Sequence, residues 1–265
     1  MKITFQRPFL ISALLSLPVL AAGCATTTAP MGASDREVSP RQRAMLQVEA
    51  ANAAINESKL PTAFQFLKVA QELDANLPSI YHLRAIAYYR RNELPAALAE
   101  MKIALGLTPN DVEMNNTYGK MLLDSGNYHD AEAPLLKAAS DPSYADAYKP
   151  HSNLGILFYR RGQFVPSQKY LNQAVAEAPA RACIAHYYLG HIQLKQGKFS
   201  EATRSYDRAT QNFCTNFADA HLALGIAYER NKQYDLARKK FLDIKINFPN
   251  TKIAEQAMDR LTYLP

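Results

Sequence analysis

Tryptophan is missing altogether, and cysteine occurs three times and glycine ten times in 265 residues. So few thiols exclude the dense disulfide framework of a small secreted scaffold and a four-cysteine zinc site. With 48% hydrophobic residues the chain is no low-complexity tail, and its length lets it bury a sizeable core. Charge of one sign is scarce too: 30 Lys and Arg face 24 Asp and Glu, a formal +6. The cations are scattered among acids, which points to solvated faces and away from a nucleic-acid partner. Beyond the first two dozen residues no apolar stretch is long enough to cross a bilayer, and from Gln42 onward no alternating pattern marks a strand. There is no His-Glu-x-x-His, no glycine-rich phosphate loop and no Gly-x-Ser-x-Gly elbow. The expectation is a non-catalytic protein with no metal, no cofactor and no small-molecule substrate.

What is present begins with a leader. Lys2 and Arg7 form a charged start, Pro8 to Leu20 is mostly apolar, and Ala21, Ala22 and Gly23 precede Cys24. This reads as a signal peptide over residues 1–23 ending in a lipobox, although Ala21 stands where Leu is commonest and Leu20 comes one place early. Cleavage would remove Lys2 and Arg7, leaving 28 basic against 24 acidic residues. Cys24 would carry three acyl chains, each buried methylene contributing about 0.8 kcal/mol, enough for stable attachment without a membrane-spanning helix. Ala25 replaces the Asp of an inner-membrane retention signal, so the expected location is the outer membrane, facing the periplasm. Residues 24–40 are rich in Ala, Thr, Ser and Pro and read as a flexible tether reaching roughly 20 to 25 Å. The folded part is expected over residues 41–265.

That part is periodic. A small residue recurs at Ala51, Ala85, Gly119, Gly155, Gly190 and Gly225, at intervals of 34, 34, 36, 35 and 35. Twelve places on stand Ala63, Ala97, Ala131, Ser167, Ala202 and Ala237, and four further the large residues Leu67, Met101, Leu135, Leu171, Tyr206 and Phe241. Three later the residue is small again in five of six units, with Ile244 the exception. Pro109, Pro179 and Pro249 end units, and Pro142 lies near the same offset. Residues 251–264 place Ile253, Ala257, Met258 and Leu261 at helical spacing, as a terminal cap would.

Over Gln42 to Pro249 this pattern resembles the tetratricopeptide repeat family, carried by Leu154-Gly155 with Phe158, Gly162 and Ala174, and by Leu224-Gly225 with Tyr228, Ala237, Phe241 and Pro249. The resemblance implies an all-α fold: a right-handed superhelix (α-solenoid) of six tetratricopeptide-type helix pairs with a C-terminal capping helix. Tryptophan, common at the family's fourth position, is replaced by His151, His186 and His221 in the last three units. Spaced one unit apart, these histidines are too far from each other to share a metal, and they are expected to pack. The family's inner positions, carried over, give a concave partner-binding surface: Ile86, Tyr89 and Arg90, then Asn116 and Lys120, then Ile156, Tyr159 and Arg160, then Tyr187, His191 and Lys195. Tyr and Arg are enriched at binding hot spots, but Tyr89 and Tyr159 read equally well as packing residues.

Cys183 and Cys214 open the fifth unit and sit near its end. Antiparallel helices bring those two points together, so a disulfide is expected, with two buried free thiols as the alternative.

A lipobox, a short tether and six repeats are also similar to the type IV pilus biogenesis lipoproteins, the pilotins of the outer-membrane secretin. The motifs are Asn115-Asn116-Thr117-Tyr118-Gly119, Gly126-Asn127-Tyr128, Asp141-Pro142 with Tyr144, and Asn153-Leu154-Gly155. That resemblance implies a lipid-anchored protein whose groove binds secretin subunits and promotes their multimerisation, with Asn116 and Tyr118 as motif residues. A scaffold for outer-membrane protein insertion, or a murein-hydrolase adaptor, is the alternative the same fold would serve.

Overall fold

The structure, a computed structural model, describes residues 38–265. The expected signal peptide, Cys24 and most of the expected tether lie outside the described residues. Thirteen α-helices and one short 3-10 turn make up the described residues, with no strand among them. No described helix is long and apolar enough to cross a membrane.

The helices pair in sequence order: α1 (Pro40–Asn56) with α2 (Leu60–Leu73), α3 (Pro78–Arg90) with α4 (Leu94–Leu107), and α5 (Val112–Asp124) with α6 (Tyr128–Ala139). Next come α7 (Tyr148–Arg160) with α8 (Phe164–Glu177), α9 (Cys183–Lys195) with α10 (Phe199–Arg208), and α11 (Ala218–Arg230) with α12 (Tyr234–Asn247). A last helix, α13 (Lys252–Thr262), buries Ala254 and Ala257 against the core containing Phe241 and Ile244, closing the stack. The first helix starts one residue before the expected boundary. Ser39 accepts from the Gln42 amide at 3.2 Å while Gln42 Oε1 accepts from the Ser39 amide at 2.9 Å, a reciprocal cap that fixes the start.

Each pair turns the same way. Seven residues after the small residue of each unit, Ser58, Asn92, Gly126, Gly162, Gly197 and Lys232 adopt positive φ between 58° and 79°. Within each pair the small residue receives the large one sixteen places on. Leu67, Met101, Leu135, Leu171, Tyr206 and Phe241 are all fully buried. A Cβ on Gly155 would lie 2.4 Å from Leu171 Cδ2, and one on Gly225 2.4 Å from Phe241 Cε1, so glycine sets the helix separation there.

The fourth position shows what replaces tryptophan. Tyr81 donates to the Ala75 carbonyl at 2.8 Å and Asn115 to that of Pro109 at 3.0 Å, while His186 and His221 bond the carbonyls of Pro179 and Thr215 at 3.0 and 2.9 Å. Each side chain ties the first helix of its unit to the turn that precedes it, satisfying a carbonyl that would otherwise need water. His151 instead pairs with Glu177 at 2.8 Å. Burial lowers the pKa of His186 and His221, outweighing the upward pull of these carbonyl bonds.

One unit is irregular. Helix α10 has 10 residues where α2, α4, α8 and α12 have 14, and the 3-10 turn Asn212–Cys214 follows it. Cys214 is joined to Cys183, with Cα atoms 5.4 Å apart, so the turn is fastened to the start of α9.

Candidate functional site

The first helices of the third, fourth and fifth pairs line a channel made of two adjoining cavities of about 460 and 350 Å³. They share Lys120 from α5, Asn153 from α7 and Ile184 from α9. The floor is polar but satisfied: the buried Asn153 amide donates to Asn116 Oδ1 at 2.9 Å, joining α5 to α7. The neighbouring Asn115 turns away and donates to the carbonyls of Pro109 and Asp111 at 3.0 and 2.7 Å, serving its own helix start. Ile156 and the exposed Ile184 supply apolar wall, and Cys183 borders the second cavity.

Charges ring this floor. Lys120 donates to Asp124 at 2.5 Å and to the Tyr89 hydroxyl at 2.7 Å, and the Tyr89 hydroxyl also donates to Asp124. Burial opposes the charge on Lys120, but Asp124 and Tyr89 together outweigh it and hold the ammonium above its ordinary pKa. Burial first, then the bond to Asp124, raises the Tyr89 phenol. On the opposite rim Asp146 accepts from Lys149 at 2.6 Å and from Arg181 at 3.3 Å. Arg160 has a weaker hold, a 3.4 Å bond to the Tyr188 hydroxyl, which leaves most of its fork available to a carboxylate.

The sequence expectations divide accordingly. Asn116, Lys120, Ile156 and Arg160 line the channel, and Tyr89 braces Lys120 at its edge. Ile86 and Tyr118 instead pack against buried core residues and line neither cavity. Arg90 donates to the Ile55 carbonyl at the C-terminal end of α1, clamping the second unit to the first. Tyr159, Tyr187 and His191 join an aromatic block with Tyr188, Tyr206 and Phe217. Ring centroids in it lie 4.3 Å apart for Tyr187 and His191, and 5.0 Å apart for Tyr159 and Tyr188. Tyr206 Oη meets His191 Nδ1 at 2.6 Å, and burial, then Lys195 and Arg160, push the His191 pKa down to about 4. Burial and the nearby Asp219 raise the Tyr187 phenol to about 12. Lys195 is exposed, its Nζ 6.0 Å from the centre of the Phe164 ring.

Lys149 and Ile184 were not anticipated, yet both lie six residues before their unit's glycine. That shared register position was the available signal. The Asp-Pro-x-Tyr stretch also finds a place: Tyr144 Oη donates to Glu113 Oε2 at 2.5 Å, holding the connection before α7 against α5. Among the described residues no three His, Cys, Asp or Glu side chains gather into a metal-binding group.

The tetratricopeptide repeat family matches residues 82–145, 152–213 and 187–250, more than half of the chain. The chain is 21% identical over 185 residues to the type IV pilus assembly protein PilF of Pseudomonas aeruginosa, covering 70% of this chain and 73% of that protein. It superposes on the crystal structure of PilW, a widely conserved type IV pilus biogenesis factor, with a TM-score of 0.73 at 22% identity, over 82% of this chain and 99% of that one. The Cut9 complex with Hcn1, from the APC/C, gives the same TM-score of 0.73 at 16% identity, over 83% of this chain and 43% of that one. Likeness of this degree establishes the repeat architecture and does not separate assemblies.

Proposed function

Because the chain belongs to the tetratricopeptide repeat family, we propose that it is a scaffold of type IV pilus biogenesis whose channel holds a segment of another protein. In the finer form of this reading it is a pilotin: acylated at Cys24, held at the periplasmic face of the outer membrane, binding secretin subunits and promoting their multimerisation.

One observation carries the site. Asn116, of the paired asparagines in the pilotin-like pattern, meets Asn153 of the fourth unit at 2.9 Å in the channel floor. The third motif, through Tyr144, holds the connection before α7 against Glu113 of α5. A bound segment would lay apolar side chains on Ile156 and Ile184 and set a carboxylate on Arg160, with Lys120 and Lys149 at the rim. Nothing in this mechanism needs a bond to be made or broken. Anchoring confines both partners to one surface and so raises the rate at which subunits meet.

Affinity capture from crosslinked envelopes tests the reading. Recovery of a secretin, lost on Arg160→Glu with the fold intact, supports it. Recovery of insertion-machine proteins or murein hydrolases would move the protein to another envelope assembly. A deletion strain should lose secretin multimers while keeping general outer-membrane proteins. A Cys24→Ala chain that still delivered multimers to the outer membrane would remove the anchor from the mechanism.

A further inference from the structure

The cations are less evenly spread than the whole-chain balance suggests. Seven Lys and Arg fall between Arg230 and Lys252 against two acids, so this stretch alone carries +5 of the formal +6. Its centre is α12, which buries Ala237, Phe241 and Ile244 in the stack. On the opposite side Lys239, Leu242 and Ile246 follow each other at spacings of three and four, one face of a helix. Ile246 is 74% exposed, and Leu236 and Leu242 are exposed as well. Lys232, Lys239 and Lys245 are exposed and, among the described residues, form no salt bridge. Of the two acids on α12, Asp235 is 3.3 Å from Arg238, which also donates to the Pro265 oxygen at 2.7 Å, and Asp243 is half-buried at the edge of this face.

We infer that the outer face of α12 docks on an anionic lipid surface, Leu242 and Ile246 entering the headgroup boundary and Lys232, Lys239 and Lys245 reaching lipid phosphates. The apolar residues decide between polyanions. A nucleic acid would neutralise the lysines and leave Leu242 and Ile246 in water, whereas a bilayer takes up both kinds of side chain at once. The flexible ammonium of lysine suits headgroups that offer no fixed geometry, where a guanidinium fork would have no advantage. This face lies on the last helix pair, away from the channel of the third to fifth pairs, and the inference does not depend on what the channel holds.

The absence of tryptophan makes a clean test possible. The full chain carrying Ile246→Trp is mixed with vesicles of phosphatidylethanolamine and phosphatidylglycerol, or of phosphatidylcholine alone. Its fluorescence should shift to the blue and be quenched by brominated acyl chains on the anionic vesicles, and stay unchanged on the neutral ones. Val165→Trp, at a position of α8 that is 81% exposed, reports whether the chain is merely held near the vesicle by another segment, and should not respond. Adding Lys239→Glu and Lys245→Glu to Ile246→Trp should weaken the response roughly tenfold or more without altering helicity. No shift, an equal shift on neutral vesicles, or an equal response from Val165→Trp would overturn the inference. So would a shift produced by an oligonucleotide, by an acidic partner protein or by raising the protein concentration without vesicles.

Discussion

Replacing Gly225 by Ala should destabilise the sixth helix pair, and Phe241→Leu should reverse much of the damage. A Cβ at position 225 would stand 2.4 Å from Phe241 Cε1 and 2.8 Å from Cδ1, well inside ordinary contact. The ring is fully buried and rigid, so the helices must part, an overpacking cost of about 2–3 kcal/mol. Alanine's better helix propensity returns about 1 kcal/mol, leaving a net loss of roughly 1–2 kcal/mol. Phe241→Leu alone should cost about 1–2 kcal/mol by leaving a void. Together the two changes recreate the pairing of Ala51 with Leu67, both fully buried in the first unit, so the double variant should be at least about 1 kcal/mol more stable than the sum predicts. Urea unfolding followed by far-ultraviolet circular dichroism measures the total, and amide exchange in α11 and α12 localises it, since repeats need not unfold as one unit. Additivity within about 0.3 kcal/mol would refute the idea that this glycine and the residue sixteen places on set the helix separation.

Reducing the Cys183–Cys214 disulfide, which spans 31 residues, should cost about 3.5 kcal/mol on the chain-entropy model and loosen chiefly α9, α10 and the turn after them. Thermal melts with and without reductant, alongside Cys183→Ser with Cys214→Ser, check this, and unchanged melting would contradict it. His191 titrates near 4 in the fold against about 6.5 unfolded, so the unfolded chain takes the proton first. Stability should therefore fall as pH drops from about 6.5 toward 4, and level off below, by about 1–3 kcal/mol. His191→Phe should flatten that slope in urea titrations at pH 7.5 and 5. Ser58 and Lys232 hold φ of 60° and 58°, a conformation that costs a side chain about 1 kcal/mol. Ser58→Gly and Lys232→Gly should raise stability by roughly 0.5–1 kcal/mol, whereas Asn92→Gly should gain less because Asn tolerates positive φ.

The amino-acid sequence by itself determined the architecture. A unit of this repeat buries its apolar face only against its neighbours, so spacing of 34 to 36 residues, the glycine positions and the sixteen-residue pairing record the stacking in one dimension. The turns were only partly legible: Gly126, Gly162 and Gly197 suit the positive φ that this offset needs, whereas Ser58 and Lys232 adopt it without any sign in their residue type. Tertiary structure decided what each inner position does. Arg90 and Arg160 occupy the same register position, yet one donates to the Ile55 carbonyl while the other lines the channel and meets the Tyr188 hydroxyl at 3.4 Å. Tyr187 and His191 share their positions with channel residues of other units, but Tyr206 and Phe217 draw them into an aromatic block. The Asn116–Asn153 floor joins residues 37 apart, and the basic outer face of α12 exists only once Ala237, Phe241 and Ile244 have turned inward. Periodicity fixes which neighbours a helix has, while the side chains of those neighbours fix which of its groups remain unpaired, and unpaired groups are what a partner meets.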